Sequence, residues 1–219
     1  MFDRKLFQER LLIGIGGNSG SGKTTVALEL KRFGAKIIDA DQLGWMVLRK
    51  GTAQYAKLVK AFGKEILAKD GSIDRRVLGE LAFANKAALA KLNKIVHPAI
   101  IERVKRELEE SRKGLVVLDA ALLFTVGLDK LMDVSILITA PDRLKFKRLV
   151  DDGVPKEQVK ARLVLQEPDA KVWRRADFVL ENKGSLAELK RKTRALWNFF
   201  YSARFQKMHT EGPETPAGD

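Results

Sequence analysis

The sequence predicts an α/β fold, a three-layer α/β/α domain whose mainly parallel five-stranded sheet is covered by helices on both faces. Short apolar runs with the composition of buried strands alternate with helical patterns along the chain. The first run leads into a glycine-rich loop and then a helix, and the second ends in Asp39-Ala40-Asp41. Alternating strands and helices build parallel sheets, because each helix returns the chain to the edge from which the next strand starts.

The elements follow from the pattern in chain order. The expected strands are residues 11–15, 35–39, 115–119, 134–139 and 178–180. Helical patterns occupy residues 26–31, 42–111, 143–149, 156–166 and 186–208. The last helix is amphipathic, with a core face formed by Leu189, Leu196, Trp197 and Phe200. Residues 209–219 have two prolines, two glycines and no apolar periodicity, so we expect a disordered tail.

Composition limits the chemistry that the chain can perform. It has 219 residues and is 45% hydrophobic, enough for one sizeable core and a smaller appended unit. The absence of cysteine excludes disulfides and thiolate sites, and His97 and His209 alone do not make a histidine-rich metal site. A metal should therefore be Mg²⁺, held by oxygens and phosphates. Without a long apolar stretch or a signal-peptide pattern, we expect a cytoplasmic protein with no membrane partner.

The net charge of +13 is spread over the whole chain. A protein this basic raises the question of a nucleic-acid partner. No dense basic block with interleaved aromatic residues is present, and a basic field also attracts small polyanionic substrates. We therefore favour small polyanions as ligands and keep nucleic acid as the alternative.

The segment from Gly17 to Thr24 has the pattern G-x-x-x-x-G-K-T of a phosphate loop. A strand before it and a helix after it distinguish a working loop from a chance match. Glycines let consecutive backbone N–H groups surround phosphate oxygens at a helix N-terminus, whose dipole favours anions. We expect Lys23 to reach the β- and γ-phosphates and the Thr24 hydroxyl to bind Mg²⁺. The predicted ATP-binding residues are Gly17, Asn18, Ser19, Gly20, Ser21, Gly22, Lys23, Thr24 and Thr25.

Two carboxylates are placed to act on the phosphates. Ligands of open parallel sheets bind beyond the carboxyl ends of the strands, where the phosphate loop, Asp41 and Asp119 should all lie. In phosphoryl transfer one carboxylate orients or deprotonates the attacking hydroxyl, and another helps to hold Mg²⁺, directly or through water. We assign these roles to Asp41 and Asp119. A helix cap is the alternative for Asp41, and Asp39 could replace it as the base, although its opposite parity in the strand argues against this.

A pair of basic helical segments precedes the last strand. Such a pair predicts a lid that closes over the phosphates and excludes water. Its basic residues are Arg143, Lys147, Arg148, Lys156, Lys160 and Arg162.

His97-Pro98 interrupts the helical pattern of residues 42–111. We expect the proline to break or restart the helix, because it lacks an N–H and its ring disfavours helical geometry in the residue before it. Spacing alone favours a packing role for His97 at this break.

Over about residues 12–196, the chain resembles the dephospho-CoA kinase family in a series of short sequence motifs that occur in the same order. They are the phosphate loop, Ile38-Asp39-Ala40-Asp41, Gly51-Thr52-Ala53-Gln54-Tyr55, Phe62-Gly63, Asp70-Gly71-Ser72-Ile73-Asp74-Arg75, Leu92-Asn93-Lys94-Ile95-Val96-His97-Pro98, Leu122-Leu123-Phe124, Arg162 with Gln166, Ala176-Asp177 and Asn182-Lys183-Gly184. The resemblance implies transfer of the γ-phosphoryl group of ATP to the 3′-hydroxyl of dephospho-CoA, which gives coenzyme A and ADP.

The resemblance also implies a domain organisation and a set of site residues. A nucleotide-binding core is expected from residues 1–41, 112–142 and 176–208, a helical dephospho-CoA-binding insert from 42–111 and a lid from 143–175. Asp41, Arg75, His97 and Leu122 become the expected acceptor-binding residues, which replaces the packing role of His97. Asp41, Lys23 and Arg148 are the expected catalytic residues, and Arg143 is an expected ATP ligand.

Two positions depart from the family pattern. Thr125 follows Leu122-Leu123-Phe124 where the family usually has Glu, and the lid segment Arg148-Leu149-Val150-Asp151-Asp152-Gly153 lacks the family's second arginine. The dephospho-CoA kinase hypothesis therefore has three alternatives. They are a kinase for a nucleoside or nucleotide acceptor, a catalytically weak nucleotide-binding regulator, and a nucleotide-dependent nucleic-acid-binding protein.

Overall fold

The fold is a parallel five-stranded sheet in the order β2-β3-β1-β4-β5, with helices on both faces. It is taken from a computed structural model, which describes residues 10–166 and 169–210. The strands are β1 (Arg10–Gly16), β2 (Lys36–Asp39), β3 (Gly114–Asp119), β4 (Val134–Thr139) and β5 (Phe178–Glu181). The helices are α1 (Lys23–Arg32), α2 (Ala40–Val47), α3 (Ala53–Phe62), α4 (Arg75–Ala82), α5 (Lys86–Glu110), α6 (Asp142–Asp151), α7 (Lys156–Leu165), α8 (Asp169–Val172) and α9 (Leu186–Thr210). The predicted fold class is confirmed.

Strand β1 lies at the centre of the sheet and separates two hydrophobic clusters. Leu11, Ile13 and Ile15 face the cluster that includes α1 and α9, and Leu12 faces the cluster on the opposite side. This alternation is the period-two pattern of a strand buried on both faces. The first cluster also holds the predicted core face of α9, with Leu189 and Phe200 buried and Leu196 and Trp197 partly buried, which confirms that face of the helix.

On the second face, β1 has glycine where its neighbours come closest. A Cβ atom on Gly14 would lie 2.9 Å from the Leu123 side chain, and one on Gly16 would lie 2.5 Å from the Phe124 ring. Leu123 and Phe124 are themselves buried. The Leu-Leu-Phe landmark therefore packs directly against the strand that carries the phosphate loop.

The helices between β2 and β3 have a hydrophobic cluster of their own. Its buried members are Leu48, Leu58, Ile66, Leu78 and Val96. Thr52 caps α3 by accepting from Tyr55 N, and Asp74 caps α4 by accepting from Arg76 N and Val77 N. These caps explain why the glycine-containing breaks in the sequence separate helices at these points.

The expected break at Pro98 is wrong, because α5 continues through the proline from Lys86 to Glu110. Proline removes one helical N–H bond, but its fixed φ is compatible with a helix. Val96 packs in the cluster of the insert, while Val104 and Leu108 pack against the sheet. Packing on both sides of Pro98 offsets the lost hydrogen bond, so the helix joins the two regions without interruption.

The terminal helix also continues further than predicted. It ends at Thr210, so residues 209 and 210, assigned to the disordered tail, are helical. The rest of that predicted tail, 211–219, lies outside the described residues. None of the helices in the described ranges is both long enough and apolar enough to span a membrane.

The close approach at Gly16 generates a stability prediction. We expect Gly16→Ala to lower the free energy of unfolding by about 1–3 kcal/mol, because the added methyl group must displace the buried Phe124 ring. Urea denaturation of the wild type and the variant measures this difference.

Gly79→Ala is the matched control, since Gly79 lies inside α4 and a Cβ atom there meets no atom within 4 Å. The control should gain up to about 1 kcal/mol, from the higher helix propensity of alanine. Equal losses in the two variants would contradict the packing argument.

Candidate active site

The register of the sheet brings the phosphate loop and three carboxylates to one edge. Asp119, at the end of β3, lies beside Ile15 of β1 and beside Asp39 of β2. Asp41 follows two residues after β2, in the first turn of α2. The carboxyl ends of these parallel strands therefore meet where a ligand of such a sheet binds.

The phosphate loop joins β1 to α1 and closes around its own lysine. Gly22 precedes the helix with φ of 106°, a conformation that favours glycine, and a Cβ atom there would collide with Asn182. Lys23 is the first residue of α1, and its Nζ atom is 3.5 Å from the carbonyl oxygen of Asn18. Thr24 follows and is exposed. The loop thus presents a lysine and a helix N-terminus to the same edge.

Lys23 interacts electrostatically with both carboxylates that the sequence singles out. Desolvation raises the pKa of the Asp119 carboxyl to about 6, against the opposing effect of Lys23 and with smaller contributions from Asp41 and Asp39. Desolvation also raises the pKa of Asp41, which Lys23 lowers and Asp39 raises. The Asp41 side chain is exposed to solvent, yet the neighbouring protein groups remove part of the hydration of its carboxylate. One ammonium group and three carboxylates therefore interact at this edge.

Asp39, not Asp41, caps helix α2. Its carboxylate accepts a hydrogen bond from Gln42 N at 2.9 Å. The capping alternative for Asp41 is therefore wrong, because the helix begins at Ala40, two residues earlier than the pattern indicated. The Asp39 carboxylate is used in this capping hydrogen bond, whereas Asp41 faces the edge of the sheet.

Asp41, His97 and Leu122 line one pocket. Its other walls are apolar, formed by Ala40, Ile100, Ile101, Ala120, Ala121, Val126 and Leu128. Helices α2 and α5 approach closely enough to form it because Gly44 faces Ile100, where a Cβ atom would be 3.0 Å from the Ile100 Cδ1 atom. Burial lowers the pKa of His97, so its imidazole is neutral at pH 7. Leu122 is 39% exposed.

Arg75 is not part of the lining of this pocket. Its guanidinium carbon lies 4.0 Å from the centre of the Trp45 ring. Trp45 is four residues after Asp41 on α2, so the two side chains share a face of that helix. Arg75, the first residue of α4, therefore packs against the turn of α2 that follows Asp41.

The predicted lid residues are not gathered at one point. Arg148 donates to the carbonyl oxygen of Gly20 at 3.1 Å and to the side-chain oxygen of Asn182 at 3.2 Å. Arg143 is exposed at the start of α6, and Lys147 pairs with Asp151 on the surface. These contacts make Arg148 a support of the phosphate loop in this conformation.

The other basic residues of the lid lie further along α7. Lys160 pairs with Glu157, and Lys156 is exposed at the start of the helix. The Arg162 guanidinium carbon lies 5.4 Å from the centre of the Phe83 ring, which directly follows α4. Arg162 thereby connects the lid to the insert.

Three residues that contact the phosphate loop, Gln166, Asp169 and Asn182, were not assigned to the site from the sequence, and neither was Lys145, which pairs with Asp169. Gln166 and Asn182 belong to the landmarks of the family resemblance, which was the one signal for them. Lys145 is buried and pairs with Asp142 and Asp169, and Asp169 accepts from the Asn18 side chain. Nothing in the sequence distinguishes Lys145 from the exposed basic residues around it, because only the packing of α6 decides which one is buried.

The residues at the edge fit a magnesium ion shared with phosphates. Thr24 and Asp119 supply hard oxygen donors, the ligand type that Mg²⁺ prefers. Within residues 10–166 and 169–210, no group of three or more acidic or histidine side chains is arranged to hold a metal ion by itself. This donor set matches a cation that takes its remaining ligands from phosphate and water.

A parallel sheet with a glycine loop, a lysine and carboxylates at its carboxyl edge defines the class of phosphate-loop kinases. The sequence profile of the dephospho-CoA kinase family matches residues 11–188 of the chain. The chain belongs to this family.

Individual relatives agree with the family profile. A dephospho-CoA kinase of Dehalococcoides mccartyi is 42% identical over 183 residues, which cover 82% of this chain and 92% of the relative. One of Geobacillus kaustophilus is 38% identical over 190 residues, with coverage of 85% and 94%. The solved structure of dephospho-CoA kinase from Campylobacter jejuni has a TM-score of 0.62 and 25% identity, and the match covers 88% of this chain and 98% of that one.

The raised pKa of Asp119 predicts a pH dependence of stability. A carboxyl whose pKa is about 6 in the folded protein and near 3.8 in the unfolded chain stabilises the fold fully below pH 3.8. This contribution is lost as the pH rises through 6, and the shift of Asp41 acts in the same direction. We therefore expect the free energy of unfolding to fall between about pH 4 and pH 6 at this site.

Asp119→Asn tests this expectation without nucleotide. The variant should be more stable than the wild type by about 1–2 kcal/mol at pH 7, because it removes a charge that folding desolvates. The gain is smaller than the full pKa shift would give, since water still reaches part of the carboxylate. The two proteins should be equally stable near pH 4. Denaturant titrations at both pH values measure the difference, and a variant that is less stable at pH 7 would show that the charge is favourable.

Proposed function

We propose that the chain transfers the γ-phosphoryl group of ATP to the 3′-hydroxyl of dephospho-CoA and releases coenzyme A and ADP. The observation that carries this proposal is the position of Asp41. Its carboxylate interacts with Lys23 on the phosphate side and lines the apolar pocket with His97 and Leu122 on the other. Membership of the dephospho-CoA kinase family supports the same reaction. The proposal includes the cytoplasmic location that the sequence suggests.

The phosphate loop binds the donor. Its backbone N–H groups and the N-terminus of α1 face the phosphate oxygens, and Lys23 neutralises charge on the β- and γ-phosphates. Mg²⁺, when bound by Thr24 and by Asp119 through water, would supply further charge neutralisation at the transferred group. These residues hold the γ-phosphorus in line with the acceptor.

Asp41 acts on the acceptor hydroxyl. It accepts the proton of the 3′-hydroxyl while the hydroxyl oxygen forms a bond to the γ-phosphorus. The bond between the γ-phosphorus and the β–γ bridging oxygen breaks, and ADP leaves. Desolvation raises the pKa of Asp41 and so increases its affinity for this proton.

The pocket beside Asp41 orients the acceptor. Its apolar walls and exposed Leu122 offer contact area, while neutral His97 can donate or accept one hydrogen bond. Arg75, which stacks on Trp45 one turn after Asp41, supplies a positive charge for the diphosphate of dephospho-CoA. The acceptor therefore meets Asp41 from the side of the insert and ATP meets it from the side of the loop.

Helices α6 and α7 act as the lid that excludes water. Arg143 is exposed on α6, where it can approach the bound phosphates when the lid closes. Arg148 acts through its bond to the carbonyl oxygen of Gly20, as a positioning residue for the loop.

The function is tested by measuring ADP release with Mg-ATP and a panel of acceptors. The panel contains dephospho-CoA, nucleosides and nucleoside monophosphates, and NMR locates the new phosphate on any product. Turnover with dephospho-CoA alone, phosphorylated at the 3′ position, is the expected result. Turnover with a nucleoside or nucleotide instead would keep the fold and overturn the acceptor. ATP binding without turnover of any acceptor would overturn the proposed activity.

The role of Asp41 is tested by Asp41→Asn. We expect kcat to fall by about 10²–10⁴, because the amide cannot accept the hydroxyl proton, while the affinity for ATP changes little. Steady-state kinetics and equilibrium ATP binding separate the two effects.

Asp39→Asn is the matched control, because it removes a carboxylate two residues away and asparagine still caps the helix well. Its effect on kcat should be several-fold at most. A large loss in Asp39→Asn with turnover retained in Asp41→Asn would assign the base to Asp39.

A further inference from the structure

Four consecutive residues of the phosphate loop are held by the part of the chain that follows β4. Asp169 accepts from the side chain of Asn18 at 2.9 Å, and Gln166 contacts Ser19. Arg148 donates to Gly20 O, and Asn182 donates to Ser21 O at 2.7 Å. Three glycines of the loop have positive φ, so these contacts supply rigidity that the loop backbone lacks.

Gln166 differs from the other three in the atom that it contacts. Arg148 and Asn182 contact backbone carbonyl oxygens, which do not bind phosphate, and Asp169 contacts the side-chain amide of Asn18. Gln166 instead takes a backbone N–H: its Oε1 atom accepts from Ser19 N at 3.3 Å. Loop N–H groups are the donors that a phosphate loop offers to phosphate oxygens.

The orientation of the Gln166 amide follows from the chemistry of its partner. A backbone N–H can only donate, so the atom facing Ser19 N must be the amide oxygen. The amide nitrogen is then directed to the hydroxyl oxygen of Ser19, 2.8 Å away. Both halves of the amide are therefore used on a single loop residue.

We propose that Gln166 is a positioning residue for the phosphoryl donor. When the loop is empty, its carbonyl oxygen accepts from the Ser19 N–H and keeps that N–H directed toward the phosphate site. When ATP binds, a phosphate oxygen replaces the carbonyl oxygen as the acceptor. Its amide nitrogen stays on the Ser19 hydroxyl, so the loop keeps its shape during this exchange. The inference rests on the proposed binding of ATP at this loop, and it does not depend on the identity of the acceptor.

A neutral amide is required for this role. A carboxylate at the same place could accept from Ser19 N–H but could not donate to the hydroxyl. It would also put a negative charge beside the incoming phosphates. Gln166→Glu therefore keeps the shape of the side chain and reverses its effect on the ligand, while Gln166→Met keeps the approximate volume and removes both hydrogen bonds.

The test measures equilibrium binding of Mg-ATP and Mg-ADP, and then steady-state kinetics. For Gln166→Glu we expect the affinity for ATP to fall at least tenfold and the ratio of ATP to ADP affinity to fall about threefold or more. For Gln166→Met we expect ATP affinity within about threefold of the wild type and a fall in kcat of about tenfold, with KM for dephospho-CoA unchanged. Thermal unfolding checks that each variant folds.

Gln158→Met is the matched control, on helix α7, which ends one residue before Gln166. Gln158 contacts Glu80 of α4 and no phosphate-loop residue in the described contacts. It should leave the ATP to ADP ratio and kcat close to wild-type values. If Gln166→Met does not fold, the binding ratio of Gln166→Glu still decides the matter.

Two results would overturn the inference. One is an unchanged ATP to ADP ratio in Gln166→Glu, whether both affinities fall together or neither falls. The other is a loss of kcat in Gln158→Met equal to that in Gln166→Met. A wild-type protein that binds ATP but does not phosphorylate dephospho-CoA would refute the proposed function and leave the binding test of Gln166 intact.

Discussion

The burial of β1 between β3 and β4 is the constraint on which the rest of the structure depends. This strand carries one hydrophobic cluster on each face and ends in the phosphate loop. Gly14 and Gly16 let Leu123 and Phe124 pack against it, and these residues lie within the segment 120–128 that forms one wall of the pocket beside Asp41. The same packing that stabilises the sheet therefore fixes the distance between the loop and the pocket.

The carboxyl edge of the sheet has more negative than positive side chains, and this affects how phosphates and Mg²⁺ are expected to bind there. Lys23 interacts with Asp41 and Asp119, and Asp39 adds a third carboxylate to the same field. Carboxylates outnumber ammonium groups here, although the chain as a whole carries +13. The global charge attracts polyanions, but the local charge disfavours bare phosphates beside Asp41 and Asp119. A divalent cation bound with the phosphates reverses this local balance, which is the physical reason to expect ATP and Mg²⁺ to bind as one unit.

Local chemistry made much of this architecture predictable, and tertiary packing accounts for what was missed. The strands, the glycine loop and the meeting of Asp41, Asp119 and Lys23 at one edge follow from alternation and spacing within a few residues. The continuous α5 could not be predicted, because its passage through Pro98 depends on packing against two clusters distant in sequence. The buried state of Lys145 is of the same kind, since neighbouring basic residues on α6 look equivalent until the helix is placed. The assignment of Arg148 to catalysis came from a motif, and its contact with Gly20 O is visible only in three dimensions.

Many landmarks of the family resemblance hold the scaffold rather than the substrates. Asp74 caps α4, the Tyr55 hydroxyl donates to Gly71 O at 2.7 Å, and Asp177 accepts from Ser135 N at 2.8 Å. Of the two departures, Thr125 is exposed after the buried Leu123-Phe124 pair, and the altered lid segment begins at Arg148, which donates to Gly20 O. The contacts that hold residues 18–21 come from Arg148, Gln166, Asp169 and Asn182, and all of them are formed although the lid segment lacks the family's second arginine.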